Sequence, residues 1–177
     1  MDPILAARRL PRLAERAMRQ AIVRGLYGAR TTPRALIDDA LLAFERAVAQ
    51  RLGEGVRPAL LFGERDRILR ELRAFIESPL AARLRALPRA RIAAAGPAAA
   101  PFDAIVRNAR GVSYAIVLRR MPRDGLRLDL LQRIVAAKTT TRMPVDGILV
   151  YDFSRAAVRL LSGQAGAQRV HCDLRAS

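Results

Sequence analysis

A chain of 177 residues with 51% hydrophobic content suits one compact domain that folds without disulfides or a structural metal. Its 32 basic residues stand against 16 acidic ones, and the net charge of +16 excludes a neutral or acidic surface. One Cys (Cys172) beside one His (His171) excludes a disulfide framework and a Cys/His zinc site, and the pair reads as part of a terminal strand.

Residues 1–87 read as a helical layer. From Pro11 to about Tyr27, apolar Leu13, Ala14, Ala17, Met18, Ala21 and Ile22 recur at helical spacing. Arg12, Arg16 and Arg19 occupy another face of that helix, with Arg8 and Arg9 just upstream. Thr32-Pro33 predicts an N-cap followed by Pro at the first helical position, and Asp38 and Asp39 lie near the positive end of the helix dipole. Leu36, Ile37, Leu41, Phe44 and Val48 form the stripe predicted to be buried, and Gly53-Glu54-Gly55 ends the helix. A third helix is expected from about Pro58 to Ile76, burying Leu61, Ile68, Leu69, Leu72 and Phe75. Ser78-Pro79 repeats the capping signal and opens a short helix ending before Pro88.

Residues 88–177 read as an α/β sheet core. Arg89 to Ala95 is a possible first strand, Gly96 to Pro101 a loop, and Phe102 to Arg107 a second strand. A turn at Asn108-Ala109-Arg110-Gly111 leads into Val112 to Arg119, the strongest strand in the chain. Leu126 to Lys138 is amphipathic and helical, with Leu130, Leu131, Ile134 and Val135 inward. Val145 to Phe153 is a strand, Ser154-Arg155 a turn into Ala157 to Leu161, and Arg169 to Leu174 a possible further strand outside the main order. The order is β-β-β-α-β-β on a mixed sheet, behind a helical front, in a single α/β (α+β) domain.

Phosphate-cradling, dinucleotide-binding and nucleophile-elbow motifs are absent. Asp103 lies early in one strand, the following strand ends Val117-Leu118-Arg119, and Gln132 lies in the later helix. This layout resembles the PD-(D/E)XK nuclease superfamily, and its RecB-like branch most, over roughly residues 11–161. The resemblance implies a restriction-endonuclease-like fold in which an Asp, then an acid, a spacer and a Lys, hold a divalent metal against a phosphodiester. Hard oxygen ligands converging on one ion make that chemistry possible. Here Val117 replaces the acid and Arg119 the Lys, so Asp103, Val117, Arg119 and Gln132 form a vestigial site. The expectation is a catalytically inactive protein with no cofactor.

DNA or RNA is the expected partner, bound through phosphates by Arg119, Arg120, Arg123, Arg127 and Arg133 at the end of the central strand. Arg8, Arg9, Arg12, Arg16 and Arg19 form a second basic patch. Nearly all the basic residues are Arg, Lys138 being the one Lys, and the Arg fork binds phosphate in a bidentate way. Two alternatives remain open from sequence. One is a nuclease that uses Mg²⁺ with a carboxylate relocated to Glu45, Glu71 or Asp38. The other is a subunit whose basic faces meet an acidic protein, within a nucleic-acid-processing complex or elsewhere. The sequence shows neither a signal peptide nor a membrane-spanning run, and a cytoplasmic location is expected.

Overall fold

The computed structural model describes residues 3–27, 32–53, 56–88, 92–94, 102–108, 110–120 and 146–162. The chain divides into two compact units, Met1–Ala81 and Ala82–Ser177. The division falls inside a short helix, slightly ahead of the change of pattern at Pro88.

The first unit holds three long helices, α1 (Pro3–Tyr27), α2 (Pro33–Leu52) and α3 (Pro58–Ile76), and the start of α4 (Pro79–Ala86). Helix α1 begins at Pro3, well before the expected start, and carries Pro11 inside it. Pro11 removes one backbone donor, yet the apolar row on either side continues in phase: Leu10, Leu13, Ala14, Ala17, Met18, Ala21 and Ile22 are all buried. Burial along that row outweighs the single lost bond, so the helix runs through. Arg8 and Arg9 are therefore helical.

Thr32 caps α2 as expected, its hydroxyl accepting from Ala35 N at 3.1 Å. The buried row of α2 is Ala40, Phe44, Val48 and Leu52, at steps of four. Leu36, Ile37 and Leu41, expected in that stripe, are half-buried. In α3, Ile68, Leu72 and Phe75 are buried, and Leu61 and Leu69 half-buried. At the α3–α4 joint the Ser78 hydroxyl donates to Phe75 O at 2.6 Å and accepts from Ala81 N at 3.2 Å.

The second unit is built on a five-stranded mixed sheet in sequential order, β1 (Ile92–Ala94), β2 (Ala104–Arg107), β3 (Ser113–Arg119), β4 (Gly147–Asp152) and β5 (Ala157–Ser162). Strands β1, β2 and β3 form an antiparallel meander, β4 runs parallel to β3, and β5 returns antiparallel to β4. A parallel pair needs a crossover connection, and residues 120–146 supply its length. The expected helix Leu126–Lys138 falls within that span and outside the described residues, as does the expected strand Arg169–Leu174.

The β2–β3 turn is closed by Asn108, whose side-chain oxygen accepts from Arg110 N at 2.9 Å and Val112 N at 3.0 Å. Gly111 there has φ +80°, a conformation that favours glycine. Ile116, Val117 and Leu118 of β3 and the whole of β4 are buried, so the sheet centre is covered on both faces. Gly147 opens β4 beneath Tyr114, where a Cβ would lie 3.1 Å from the ring. No helix among the described residues is long and apolar enough to cross a membrane.

Candidate functional site

Asp103 lies at the bend that opens β2, where the chain leaves the ladder. Its backbone N–H donates to Ile116 O at 2.8 Å, although Ile116 is the register partner of Ala104. On the β2 side the ladder ends at Ala104 and Ile116, short of Leu118, and the Asp103 carboxylate takes the place of a strand carbonyl there, Oδ2 accepting from Leu118 N at 2.7 Å. The same oxygen accepts from Arg119 Nη1 at 3.2 Å, and that nitrogen also donates to Leu118 O at 2.7 Å. The pair is largely enclosed, with side-chain exposures of 17% for Arg119 and 5% for Asp103.

Strand alternation puts Val117 and Arg119 on one face of β3, with Leu118 on the other. Val117 is fully buried. The structure thus joins Asp103 and Arg119 of the vestigial site directly and seals Val117 into the core. Gln132, Arg123, Arg127 and Arg133 lie outside the described residues, and Arg120 is half-buried.

The carboxylates considered as relocated ligands have partners or settings of their own. Glu45 pairs with Arg65 at 2.8 Å, Asp38 lies 3.8 Å from Arg34, and Glu71 is half-buried in α3. Among the described residues no group of three His, Cys, Asp or Glu side chains converges as a metal site would require. His171 and Cys172 lie outside those residues.

A second carboxylate at the same end of the sheet was not singled out from sequence. Asp152, the last residue of β4, is buried, and its Oδ1 accepts from the Ser154 N–H at 3.0 Å and hydroxyl at 2.7 Å. Its Oδ2 accepts from Arg155 Nη1 at 2.7 Å. The Asp-x-Ser-Arg order at a strand end was the available signal, because Asp and Ser there close the following turn. Asp152 accordingly reads as a turn anchor.

On α1 the basic patch forms one stripe. At 3.6 residues per turn, Arg8, Arg9, Arg12, Arg16 and Arg19 fall within an arc of about 100°, opposite the buried row. Arg8, Arg9, Arg12 and Arg16 are exposed and Arg19 is half-buried.

Beside this stripe α1 and α2 enclose a cleft of about 280 Å³. Leu13, Ala17, Ala43 and Ala47 line its inner part; Arg16, Gln20 and Arg24 of α1 face Arg46, Gln50 and Arg51 of α2. The α2 members escaped the sequence reading, although steps of four (Arg16, Gln20, Arg24 and Arg46, Gln50) mark one helix row each.

No protein-family model, curated protein sequence or solved structure matches this chain.

Proposed function

We propose that this chain is a nucleic-acid-binding protein with a nuclease-like sheet that lacks metal catalysis, holding DNA or RNA by backbone phosphates. The observation that carries this reading is the ion pair between Asp103 and Arg119. In the resemblance, the first residue is the leading metal ligand and the second stands at the Lys position. Here one carboxylate oxygen, Oδ2, is engaged by both a guanidinium and a backbone N–H, and Val117 offers no second carboxylate. A hard cation seated at Oδ2 would have to displace Arg119 from Asp103.

Two further features support the reading. The meander followed by a parallel β4 fits the β-β-β-α-β-β order of the nuclease-like layout. The charge of +16, with exposed arginines along one face of α1, matches a polyphosphate partner.

The test is fluorescence anisotropy with labelled single- and double-stranded oligonucleotides across a salt series. Four to five phosphate contacts give a log–log slope of about −3 to −4, so a rise from ~50 to ~200 mM salt lowers affinity by roughly 60- to 250-fold. A flat response rejects the phosphate account. Incubation of the same preparation with Mg²⁺ or Mn²⁺ and mixed DNA and RNA leaves the substrates intact; cleavage that stops on chelation and is lost in a folded Asp103→Asn variant would establish a nuclease instead.

A further inference from the structure

We propose that the cleft between α1 and α2 is the seat of the bound backbone phosphates, with Arg16, Arg46 and Arg51 as the ligating side chains. This rests on the nucleic-acid reading above and gives it a location.

The five residues between Tyr27 and Pro33 are too few for anything but an antiparallel return, and the Arg24–Asp39 ion pair at 3.5 Å fixes the level at which the helices face each other. Counting from that pair, eight residues back along α1 is Arg16 and eight forward along α2 is Ala47, next to Arg46. Arg16 and Arg46 therefore stand at about the same height on opposite walls. Arg51 lies about one turn beyond Ala47. Ala17 of α1 and Ala43 and Ala47 of α2 give the cleft small side chains, with the longer arginines and glutamines lining it beside them.

Charge balance in the cleft is one-sided. Four arginines line it against one carboxylate, and that carboxylate, Asp39, pairs with Arg24. Arg16, Arg46 and Arg51 have no carboxylate partner among the described residues. Guanidinium groups converging without a counter-charge repel each other, and an anion placed between them relieves that repulsion while accepting forked hydrogen bonds. Gln20 and Gln50 add neutral donors on each wall.

Size and lining choose among anions. A cleft of about 280 Å³ takes one or two phosphate groups and lies at the small end for an organic ligand. No aromatic side chain lines it, so a base has no stacking platform. The site thus reads phosphates and ignores base identity. Pyrophosphate or a nucleotide tail offers the same chemistry as a polynucleotide backbone, and the test separates the two.

The probe is a fluorescein-labelled oligothymidine of about 20 nucleotides, titrated at ~0.1 M salt and across a salt series. The cleft variant is Arg16→Gln, Arg46→Gln, Arg51→Gln. Its control removes the same charge from exposed positions, Arg57→Gln, Arg70→Gln, Arg73→Gln, and circular dichroism melting confirms that both are folded. The cleft variant is expected to bind at least about tenfold more weakly, with the salt slope reduced by about 2, against a change under about threefold for the control. Equal losses in the two variants overturn the cleft and leave the nucleic-acid reading standing. If the unaltered protein binds no oligonucleotide, that reading fails, and calorimetry with pyrophosphate decides the cleft. Pyrophosphate binding lost in the cleft variant establishes a site for free phosphate compounds, and its absence in the unaltered protein overturns the site.

Discussion

Arg119 and Asp152 are register partners on the parallel strands β3 and β4, and each has an opposite charge of its own. Arg119 has Asp103 at 3.2 Å, and Asp152 has Arg155 at 2.7 Å. Two carboxylates at this end of the sheet are thus each held by an arginine. Their chemistry is that of strand and turn anchors, so removing either should cost stability before it costs any activity.

Asp103→Ala is expected to destabilise the protein by about 2–3 kcal/mol, because it strips the acceptor from a buried Leu118 N–H and leaves Arg119 without its counter-charge. Asp103→Asn keeps an acceptor for Leu118 N and should lose less. Urea unfolding measures both through the midpoint at constant slope. A loss below ~0.5 kcal/mol for the alanine variant would remove the structural role assigned to the pair.

Val117→Glu restores an acid at the motif position, yet it places that acid where no side-chain surface reaches solvent. Burying a carboxylate here costs about 3 kcal/mol or more unless it captures Arg119, and capturing Arg119 would strip Asp103 of its partner. The expected result is a lower unfolding midpoint and no Mg²⁺-dependent cleavage, since ligand geometry needs a supporting shell that this core does not provide. Cleavage of plasmid DNA that stops on chelation would contradict this.

Local signals explain which parts of the fold the sequence discloses. Thr32-Pro33 and Ser78-Pro79 carry their own capping chemistry, and α2, α3 and α4 begin where those pairs or Pro58 predict. Pro11 misleads because a proline's local effect is read more easily than the burial of Leu10 and Leu13 around it. Phe102 and Asp103 look like strand residues by composition, but the ladder starts at Ala104, with Asp103 turned to serve Leu118. That choice depends on the β2–β3 register, which no local pattern reveals. The resemblance pointed to Asp103 and Arg119 as members of one site; that they neutralise each other is visible only in three dimensions. Likewise Arg46 and Arg51 look like an ordinary solvated helix face until α1 is packed beside them.

Ser78→Ala should cost about 1 kcal/mol, since its hydroxyl both caps Ala81 N and satisfies Phe75 O at the junction of α3 and α4. Ser78→Thr retains both bonds and serves as the conservative partner. Comparison of their thermal midpoints with that of the parent chain checks the assignment, and identical midpoints for alanine and serine would show that the cap contributes nothing.

Arg12 and Arg119 should respond in opposite ways to truncation. Sequence order alone makes Arg119, at the end of the central strand, the expected phosphate contact. Its guanidinium, however, lies 3.2 Å from Asp103 and donates to Leu118 O at 2.7 Å, so reaching a phosphate means breaking an enclosed pair. Arg12 is exposed on the α1 stripe between Arg8 and Arg16 and gives up nothing internal. Arg12→Ala is therefore expected to weaken oligonucleotide binding about fivefold at ~0.1 M salt, flatten the salt slope by about 1 and leave the unfolding midpoint nearly unchanged. Arg119→Ala is expected to lower the midpoint while binding stays within about twofold, measured at a temperature where the variant is folded. Anisotropy and urea unfolding on the same two preparations decide it. A larger binding loss for Arg119→Ala than for Arg12→Ala would put the phosphate contact at the end of β3 and displace it from α1.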